Sequence, residues 1–515
     1  MTRLVICAVL VAACSAGPRS GPPAVPPGST VPAATRAPRV AASELPSLER
    51  WRHHVTDEIL PFWQTPDALG TPIGNFPTFR CNDGTAFHPE APCPEFAKPP
   101  AWITPELHRD YTRMKSRQTF LYGVAFHITG EERYLDYARA GVSWLRQHAY
   151  EHDTGSAITY WSGGTAGPPR DQRTSQDLAY AQVGLAFYYY LTRDPEVLTD
   201  LLRLEHYVMT AYWQPSPAPP GGMLRWTLAD GDVPGEARRQ ELVSQLDQIN
   251  AYMLLLAPLL EEPAVARDWQ RDLVVLARVV KDRFFAPEHG MFWGSIHDPA
   301  GRRLGSDHTD FGHSMKSLWM LYLTGQATGQ SDLTEFARPL MGPLLERAAQ
   351  PSGCWASGIR ASGELDRGSQ WWIFDELDQA AATLAGREPA AGPYARYLGP
   401  SYACWFTRFV DHRHQDVWPF LGPDWTETSF DTEPPPKIFH WKNGYHVMEH
   451  ALVALITTAG LTGQDLPLYY AFVKPPSPAR IQPYYFTATI AGQTELPLPR
   501  HPGLHGLRVQ FRDLH

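Results

Sequence analysis

Two kinds of amphipathic segment alternate along the chain between about residues 110 and 462. In the first kind apolar residues occupy nearly every face of the helix, as in "SQDLAYAQVGLAFYYYL" (175–191). This pattern predicts a buried helix. The second kind keeps a charged face, as in "ARDWQRDLVVLARVVKDRFF" (266–285), which predicts a helix with one solvated side. Counting the first segment, "YTRMKSRQTFLYGVAFHITG" (111–130), the pattern predicts six helix pairs, with one buried and one half-solvated helix in each.

A turn rich in glycine and aromatic residues precedes most of the buried helices. The tryptophans of these turns are separated by 65, 67, 62 and 63 residues: Trp161, Trp226, Trp293, Trp355 and Trp418. A repeat of this length predicts a repeating helical architecture. Because the turns lead into the buried helices, we expect them to converge on one mouth. The sequence therefore predicts an all-α fold, an (α/α)6 barrel of six helix hairpins with short β-hairpin or aromatic loops at the pocket end. A superhelical solenoid is the alternative.

Composition narrows the range of functions. Of 515 residues, 43% are hydrophobic and 19% are charged, which provides apolar material for a large core. The net charge of −9 shows no basic excess, so nucleic acid is excluded as an expected partner. The 17 tryptophans and 22 tyrosines suit both a core and the stacking of sugar rings.

The N-terminus reads as a processing segment. In "MTRLVICAVLVAAC" an early arginine precedes an apolar run that is too short to span a bilayer. The small residues before Cys14 resemble a bacterial lipobox, which predicts a signal peptide over 1–14 and lipidation of Cys14; the alternative is an ordinary cleaved signal. Residues 15–43 form a Pro/Gly/Ala-rich tether, followed by the barrel (44–475) and a C-terminal extension (476–515). We expect an exported lipoprotein, periplasmic or anchored to the outer membrane, that contacts a membrane only through its lipid.

Four further cysteines can pair in an exported protein. Cys81 and Cys93 bracket one Pro-rich loop and are the first predicted disulfide, and Cys354 with Cys404 is the second. No CxxC or Cys/His ligand spacing occurs, so no metal site is predicted.

Polar and aromatic residues recur at the starts of the buried helices, where backbone N–H groups also point outward. Several such helix starts at one mouth would form a pocket. The residues concerned are Arg117, Asn250, His313, Trp371, Trp372, Glu376, Tyr445 and His446.

Four short motifs in these positions resemble the N-acylglucosamine 2-epimerase and cellobiose 2-epimerase superfamily. They are "KSRQTFLYG", "GHSMKSLWML", "QWWIFDE" and "WKNGYHVMEHAL", in the family's order, and the resemblance covers roughly residues 44 to 470. It implies an (α/α)6 barrel that moves the C2 proton of a free sugar, or of an oligosaccharide reducing end, through an enediolate. Whether the product is an epimer or a ketose stays open, as does the oligomeric state.

The resemblance also implies residue roles. His313 and His446 would exchange the proton, which suits imidazoles with a pKa near neutrality. Arg117 would stabilise the developing negative charge on oxygen. No metal or nucleotide cofactor is implied. The residues expected to bind the sugar are Trp371, Trp372, Trp441, Glu376, Asn250 and Tyr252, of which Tyr252 stands where the family has a third histidine.

The chain departs from the family at two charged positions. Lys316 replaces the glutamate of the family's GHxxE motif, and Glu449 stands where relatives often carry arginine. We therefore predict an exchanged ion pair between Lys316 and Glu449, with side chains within about 6 Å of each other. Asp310 is expected to cap its helix, and His308 to be a solvated loop residue.

Two other functional classes remain open. A glycoside hydrolase or polysaccharide lyase can share the barrel, and hydrolysis needs two carboxylates across the bond, for which Asp375, Glu376 and Glu449 are candidates. The third class is a glycan-binding lipoprotein that has lost catalysis.

Overall fold

In the part of the chain that the structure describes, twelve long helices alternate between an inner and an outer ring, as the alternating pattern predicts. The structure is a computed structural model that describes residues 39–424 and 435–515. Several helices continue through a short π-helical stretch, written after a plus sign. In chain order they are α1 (Leu48–His53 + His54–Ile59, then Leu60–Trp63), α2 (Thr112–Thr129), α3 (Glu132–Trp144 + Leu145–Ala149), α4 (Ser175–Thr192), α5 (Pro195–Tyr207 + Val208–Tyr212), α6 (Leu242–Gln248 + Ile249–Met253, then Leu254–Leu256), α7 (Pro263–Val279 + Val280–Phe284), α8 (Phe311–Thr328), α9 (Ser331–Ala348), α10 (Trp371–Arg387), α11 (Leu398–Cys404 + Trp405–Phe409) and α12 (Tyr445–Thr462).

The even-numbered helices form the inner ring. α4 is buried along its whole length, whereas the outer α5 keeps an exposed face. Each inner helix packs against the next, and α12 packs against α2, so the ring closes as a barrel and not as an open solenoid. The outer helix beside α12 is α1, which comes from the other end of the chain.

Local sequence fixes the helix ends. The side chain of Asp310 caps α8 by accepting from the backbone N–H of His313, as predicted. Asp194 caps α5 in the same way, and Pro195 fills its first position. Gly130 ends α2 in the left-handed conformation (φ 72°), and a side chain there would meet the ring of Tyr469.

Short antiparallel strands connect outer helices to inner ones at the mouth, which confirms the predicted β-hairpin loops. Trp161 lies in one of these strands, while Trp226 and Trp293 follow others. One three-stranded sheet has Tyr160–Ser162 in the middle, between Arg109–Tyr111 and Thr165–Gly167. The two-stranded pairs are Tyr150–Glu151 with Ser156–Ala157, Trp213–Pro215 with Gly222–Leu224, Phe285–Ala286 with Met291–Phe292, Gly358–Ile359 with Leu365–Asp366, and Ser369–Gln370 with Phe420–Leu421. Shorter helical turns are Ala42–Glu44, Pro66–Leu69, Pro94–Phe96, Thr104–Glu106, Arg170–Gln172, Glu236–Arg238, Pro299–Gly301, Gly392–Ala395 and Pro478–Arg480.

The C-terminal extension begins earlier than predicted. β1 (Leu466–Phe472), β2 (Thr489–Leu496) and β3 (His505–Arg512) form one antiparallel sheet in the order β1–β3–β2. The predicted boundary at 475/476 separates β1 from its partner strands. This sheet covers the C-terminal ends of inner helices: Nδ1 of His127 bonds the carbonyl oxygen of Tyr469, and Val473 N–H donates to Thr192. The barrel therefore has one closed end.

Disulfides join Cys81 to Cys93 and Cys354 to Cys404. Cys14 and nearly all of the predicted tether lie outside the described residues. The last part of the tether packs on the barrel, since the N–H groups of Arg39 and Val40 donate to Leu461. In the described part of the chain no helix has both the length and the hydropathy needed to cross a bilayer.

Candidate active site

The N-terminal halves of all six inner helices line one cavity at the open end of the barrel. Its volume is about 370 Å³, within the range of small-molecule sites. The lining residues are Arg117 from α2, Gln176 and Tyr180 from α4, Asp247 from α6, His313 and Lys316 from α8, Trp371 and Trp372 from α10, and His446 from α12, with Trp226, His308 and Trp441 from the mouth loops.

His313 is held by the residue that caps its helix. Asp310 Oδ1 accepts from the backbone N–H of His313 (2.8 Å), and Oδ2 lies 2.7 Å from the Nδ1 atom of the same ring. Burial alone would raise the pKa of Asp310, but His313 outweighs it and lowers the pKa. The aspartate is therefore ionised and favours a proton on Nδ1, which leaves Nε2 towards the cavity.

His446 is held in a similar way from a neighbouring helix. Its Nδ1 lies 2.8 Å from Asp375 Oδ2 and 3.6 Å from Glu449 Oε2. Burial lowers the pKa of His446 well below its usual value, and the positive charges of Arg117 and Lys316 add to this effect. At neutral pH the ring is therefore uncharged, a state in which Nε2 can accept a proton.

The two carboxyl groups behind His446 retain a proton. Burial and the charge of Glu449 raise the pKa of Asp375 well above its usual range, and burial also raises the pKa of Glu449. The hydroxyl of Tyr484, from the C-terminal extension, donates to Glu449. One ligand atom from each of Asp375, His446 and Glu449 lies within 4.8 Å of the others, a spacing that could also hold a metal ion. Because a metal ion requires deprotonated ligands, the protonated acid pair fits a metal poorly.

Among the described residues, Lys316 forms its ion pairs within 4 Å with Asp247 and Glu376 and not with Glu449, its predicted partner. Lys316 Nζ lies 2.9 Å from Asp247 and 3.6 Å from Glu376, and it donates to the hydroxyl of Tyr180. Burial alone would lower the pKa of Lys316, but the charge of Asp247 outweighs it and raises the pKa well above its usual value. Lys316 is therefore a fixed cation. Glu449 instead faces His446 and Tyr484.

Arg117 reaches the cavity through a wall of aromatic rings. Its Nη1 donates to the carbonyl oxygen of Trp441 (2.6 Å), and its guanidinium lies 3.8 Å from the ring centroid of Tyr180. The ring of Trp441 is fixed by the guanidinium of Arg113, 3.8 Å from its centroid. These contacts hold a cation at the cavity wall on rings that are themselves immobile.

The adjacent tryptophans of α10 both line the cavity but differ in their packing. Trp371 is almost fully buried against Phe420 and Phe439. Trp372 is half-buried, and its ring centroid lies 4.6 Å from that of His313 and 6.5 Å from that of His446. Trp372 is therefore the ring that lies close to both imidazoles.

Three residues expected to bind the sugar lie elsewhere. Asn250 is buried beneath the cavity and donates to the hydroxyl of Tyr445 (3.4 Å). Tyr252 is fully buried against Trp269 of the outer helix α7, because the π-helical turn of α6 rotates it away from the mouth. Glu376 accepts from Nε1 of Trp319 (2.9 Å) in the core. In the part of the chain that the structure describes, these three do not line the cavity.

Several lining residues escaped the sequence prediction. Gln176, Tyr180 and Asp247 lie near the starts of α4 and α6, the helix positions that carry the other lining residues, so this signal could have found them. His308 is not a solvated loop residue: it has a positive φ (58°), and its ring packs 4.8 Å from that of His313. Burial lowers the pKa of His308 to about 4.

A larger groove, of about 1120 Å³, lies beside the Cys81–Cys93 disulfide. Loop residues such as Asp83, Arg413 and Trp418 line it, and the inner helices contribute none of its described lining. The converging imidazoles distinguish the smaller cavity as the candidate site.

Comparisons with known proteins agree with this geometry. No protein-family profile matches the chain. Over 425 residues it is 20% identical to a cellobiose 2-epimerase of Eubacterium cellulosolvens, across 76% of this chain and 94% of the relative. The fold matches that of a sugar epimerase from a ruminal bacterium (TM-score 0.62, 17% identity, 80% of this chain and 99% of the other). A D-mannose isomerase matches to a similar degree (TM-score 0.61, 15% identity, 80% and 99%). The resemblance of this chain to the N-acylglucosamine 2-epimerase and cellobiose 2-epimerase superfamily is thereby confirmed.

Proposed function

We propose that this protein is a sugar 2-epimerase or aldose–ketose isomerase acting on a free sugar or an oligosaccharide reducing end. The observation that carries the proposal is the pair of imidazoles, His313 and His446, on one cavity. Each has its Nδ1 beside an aspartate, and each therefore turns Nε2 towards the cavity. The similarity to a cellobiose 2-epimerase supports the same class of reaction.

The proposed reaction needs only proton transfers. With the sugar ring open, Nε2 of one histidine removes the proton at C2, and the electron pair forms an enediolate with C1. Arg117 binds the enediolate oxygens and stabilises their negative charge. The other histidine enters this step with a proton on Nε2 as well as on Nδ1, and it gives the Nε2 proton to the opposite face of C2, which yields the epimer, or to C1, which yields the ketose. Exchange with water then replaces that proton and removes the one taken by the first histidine. Trp372, close to both rings, stacks on the sugar.

Lys316 takes no part in the proton transfer. Its ammonium group is bound to Asp247 and its pKa is raised, so it gives up a proton poorly. Its role is to keep Asp247 ionised, and that carboxylate in turn accepts from Gln176 (2.8 Å) and from the hydroxyl of Tyr180 (3.2 Å), two further side chains of the cavity lining.

The hydrolase or lyase alternative finds less support. Two carboxylates would have to face the scissile bond, about 5 to 10 Å apart. Within the described residues the cavity lining holds one carboxylate, Asp247, and it is neutralised by Lys316. Asp375, Glu376 and Glu449 lie behind the lining.

Proton NMR in D2O tests the proposal directly. The chain without residues 1–14 is incubated with aldoses, N-acetylhexosamines and β-linked disaccharides. We expect deuterium at C2 of a substrate and a new epimer or ketose signal, both lost in His446→Asn and in His313→Asn. Cleavage of an oligosaccharide without C2 exchange would instead establish the hydrolase alternative, and binding without either reaction the glycan-binding one.

We also propose that the protein is an exported lipoprotein. Both disulfides support an oxidising compartment, and the apolar segment before Cys14 supports a lipid anchor. Expression of the full chain in a bacterium, with labelled palmitate, tests this proposal. Label and membrane association that are both lost in Cys14→Ser would establish the anchor, and unchanged fractionation would refute it.

A further inference from the structure

Four side chains form a series of contacts that begins in the C-terminal extension and ends at the cavity: Tyr484, Glu449, Asp375 and His446. Nδ1 of His446 lies 2.8 Å from Asp375 Oδ2, and a carboxyl oxygen of Asp375 lies within 4.8 Å of one of Glu449. Glu449 Oε1 in turn accepts from the hydroxyl of Tyr484. All four side chains are at least nine-tenths buried, so water competes little for these contacts.

The order of donors and acceptors in this series is determined by its two ends. His446 donates its Nδ1 proton to Oδ2 of Asp375, and Tyr484 donates its hydroxyl proton to Glu449. One proton between the two acids completes the series, carried on Oδ1 of Asp375 and donated to Glu449. Oδ1 is the oxygen of Asp375 that has no hydrogen-bond partner among the described residues, and it is therefore available to carry this proton. The whole series then carries one negative charge, shared by the acids.

The backbone at Tyr484 is adapted to this contact. Its φ is +55°, a conformation that residues with a side chain rarely adopt. The backbone N–H of Tyr484 donates to the hydroxyl of Tyr190 (2.9 Å), which holds the turn in place. Such strain is found where the surrounding structure requires one particular side-chain direction.

We propose that Asp375 is a positioning residue that fixes the tautomer and orientation of His446. Tyr484 acts on it through Glu449, so the C-terminal extension is part of the catalytic apparatus. The catalytic consequence rests on the proposed function. When Nε2 of His446 takes the C2 proton, the imidazolium is balanced by the negative charge of the acid pair, and the charge separation is undone when that proton exchanges with water.

These residues compensate for the glutamate that the chain lacks. Lys316 occupies the position of the family glutamate and is committed to Asp247. The acids beside His446 come instead from two other helices, Asp375 from α10 and Glu449 from α12. The hydroxyl that donates to Glu449 belongs to Tyr484 in the C-terminal extension. The wild-type chain, which holds all four groups, is therefore expected to be active in spite of the substitution.

Nitrogen-15 NMR of histidine-labelled protein tests the positioning without reference to activity. We expect a protonated Nδ1 and an unprotonated Nε2 for His446, assigned with His446→Asn. In Asp375→Asn this tautomer should mix with its alternative, and kcat for C2 exchange should fall by about a hundredfold or more, with KM little changed.

Tyr484→Phe is the milder variant, since it removes one hydroxyl and leaves the ring in place. We expect kcat to fall about tenfold. Tyr322→Phe is the matched control, because its hydroxyl donates to Glu388 (3.3 Å), which follows the C-terminal end of α10, and it should leave kcat unchanged. Circular dichroism verifies that each variant is folded.

Two results would overturn the inference: an unchanged tautomer with unchanged kcat in Asp375→Asn, or equal losses in Tyr484→Phe and Tyr322→Phe. If the wild-type protein exchanges no sugar proton, the proposed function fails. The tautomer of His446 and its response to Asp375→Asn then still decide whether the positioning is correct.

Discussion

Lys316 and Asp247 form a buried ion pair, with 2.9 Å between Nζ and Oδ1, across the inner helices α8 and α6. Both side chains are almost fully buried. The positive charge of Lys316 is therefore compensated inside the barrel, and the two helices gain a cross-link at the floor of the cavity.

Lys316→Met is expected to destabilise the fold. It leaves Asp247 buried without its cation, a change that typically costs about 3–5 kcal/mol. Guanidinium denaturation of the soluble chain measures the loss. The double variant Lys316→Met/Asp247→Asn removes the uncompensated charge and should recover part of the stability. If the double variant is no more stable than the single one, the pair is not the source of the effect.

Arg117→Lys should reduce catalysis more than binding. Lysine keeps the charge but loses the planar fork that reaches two oxygens at once. We expect kcat for C2 exchange to fall about 10²-fold or more. Arg109→Lys, at a mouth hairpin where the arginine pairs with Glu106, is the control and should leave kcat unchanged. A rise in KM alone would indicate that Arg117 binds the substrate and transition state equally.

The buried acids should make stability depend on pH. Burial, with a contribution from the charge of Glu449, raises the pKa of Glu376 to about 8, although Lys316 opposes this shift. Between the ordinary value of 4.5 and about 8 the folded state holds a proton that the unfolded state has released, so this group contributes less stability as pH rises through that window.

Glu376→Gln removes this dependence. We expect the free energy of unfolding of the variant, relative to wild type, to increase between pH 5 and pH 8 in urea denaturation. The comparison between the two proteins cancels the opposite contribution of the buried histidines, which is common to both. A constant difference across that range would show that Glu376 is ionised in the folded protein.

The disulfides should contribute unequally to stability. Residues 354 and 404 are 50 apart in sequence, against 12 for residues 81 and 93. Loop-closure entropy then predicts about 4 kcal/mol for the first and about 3 kcal/mol for the second. Denaturation of Cys354→Ala/Cys404→Ala and Cys81→Ala/Cys93→Ala under oxidising conditions measures both. Equal stability of these variants and the wild type would mean that neither bridge forms.

Metal removal should leave activity intact. The Asp375, His446 and Glu449 cluster retains a proton, and the proposed reaction requires no Lewis acid. We therefore expect dialysis against EDTA to leave kcat unchanged and elemental analysis to find no stoichiometric metal. Loss of activity that Zn²⁺ or Mn²⁺ restores would assign the cluster to a metal instead.

The barrel architecture was predictable because a helix that is buried on every side, such as α4, has few polar residues on any of its faces. The capping of α8 by Asp310 was also accessible, since the cap and the His313 ring it contacts are only three residues apart in sequence. The position of Tyr252 was not, because a π-helical turn changes the angular step along α6. The partners of Lys316 and His446 depend on how neighbouring helices are rotated, which short-range patterns do not specify.

The last hairpin of the barrel, α12 with α1, joins the two ends of the chain. Nε1 of Trp405, in α11, donates to Nε2 of His54, in α1, which lies 351 residues earlier in the sequence. This contact also joins a late helix to the first one. During synthesis α1 appears first and its partner helix last. The ring therefore stays open until almost the whole polypeptide is available, and the walls of the cavity come together only in the final step of folding. If the chain is exported as proposed, this order of helices keeps the barrel from closing before the last helix has crossed the membrane.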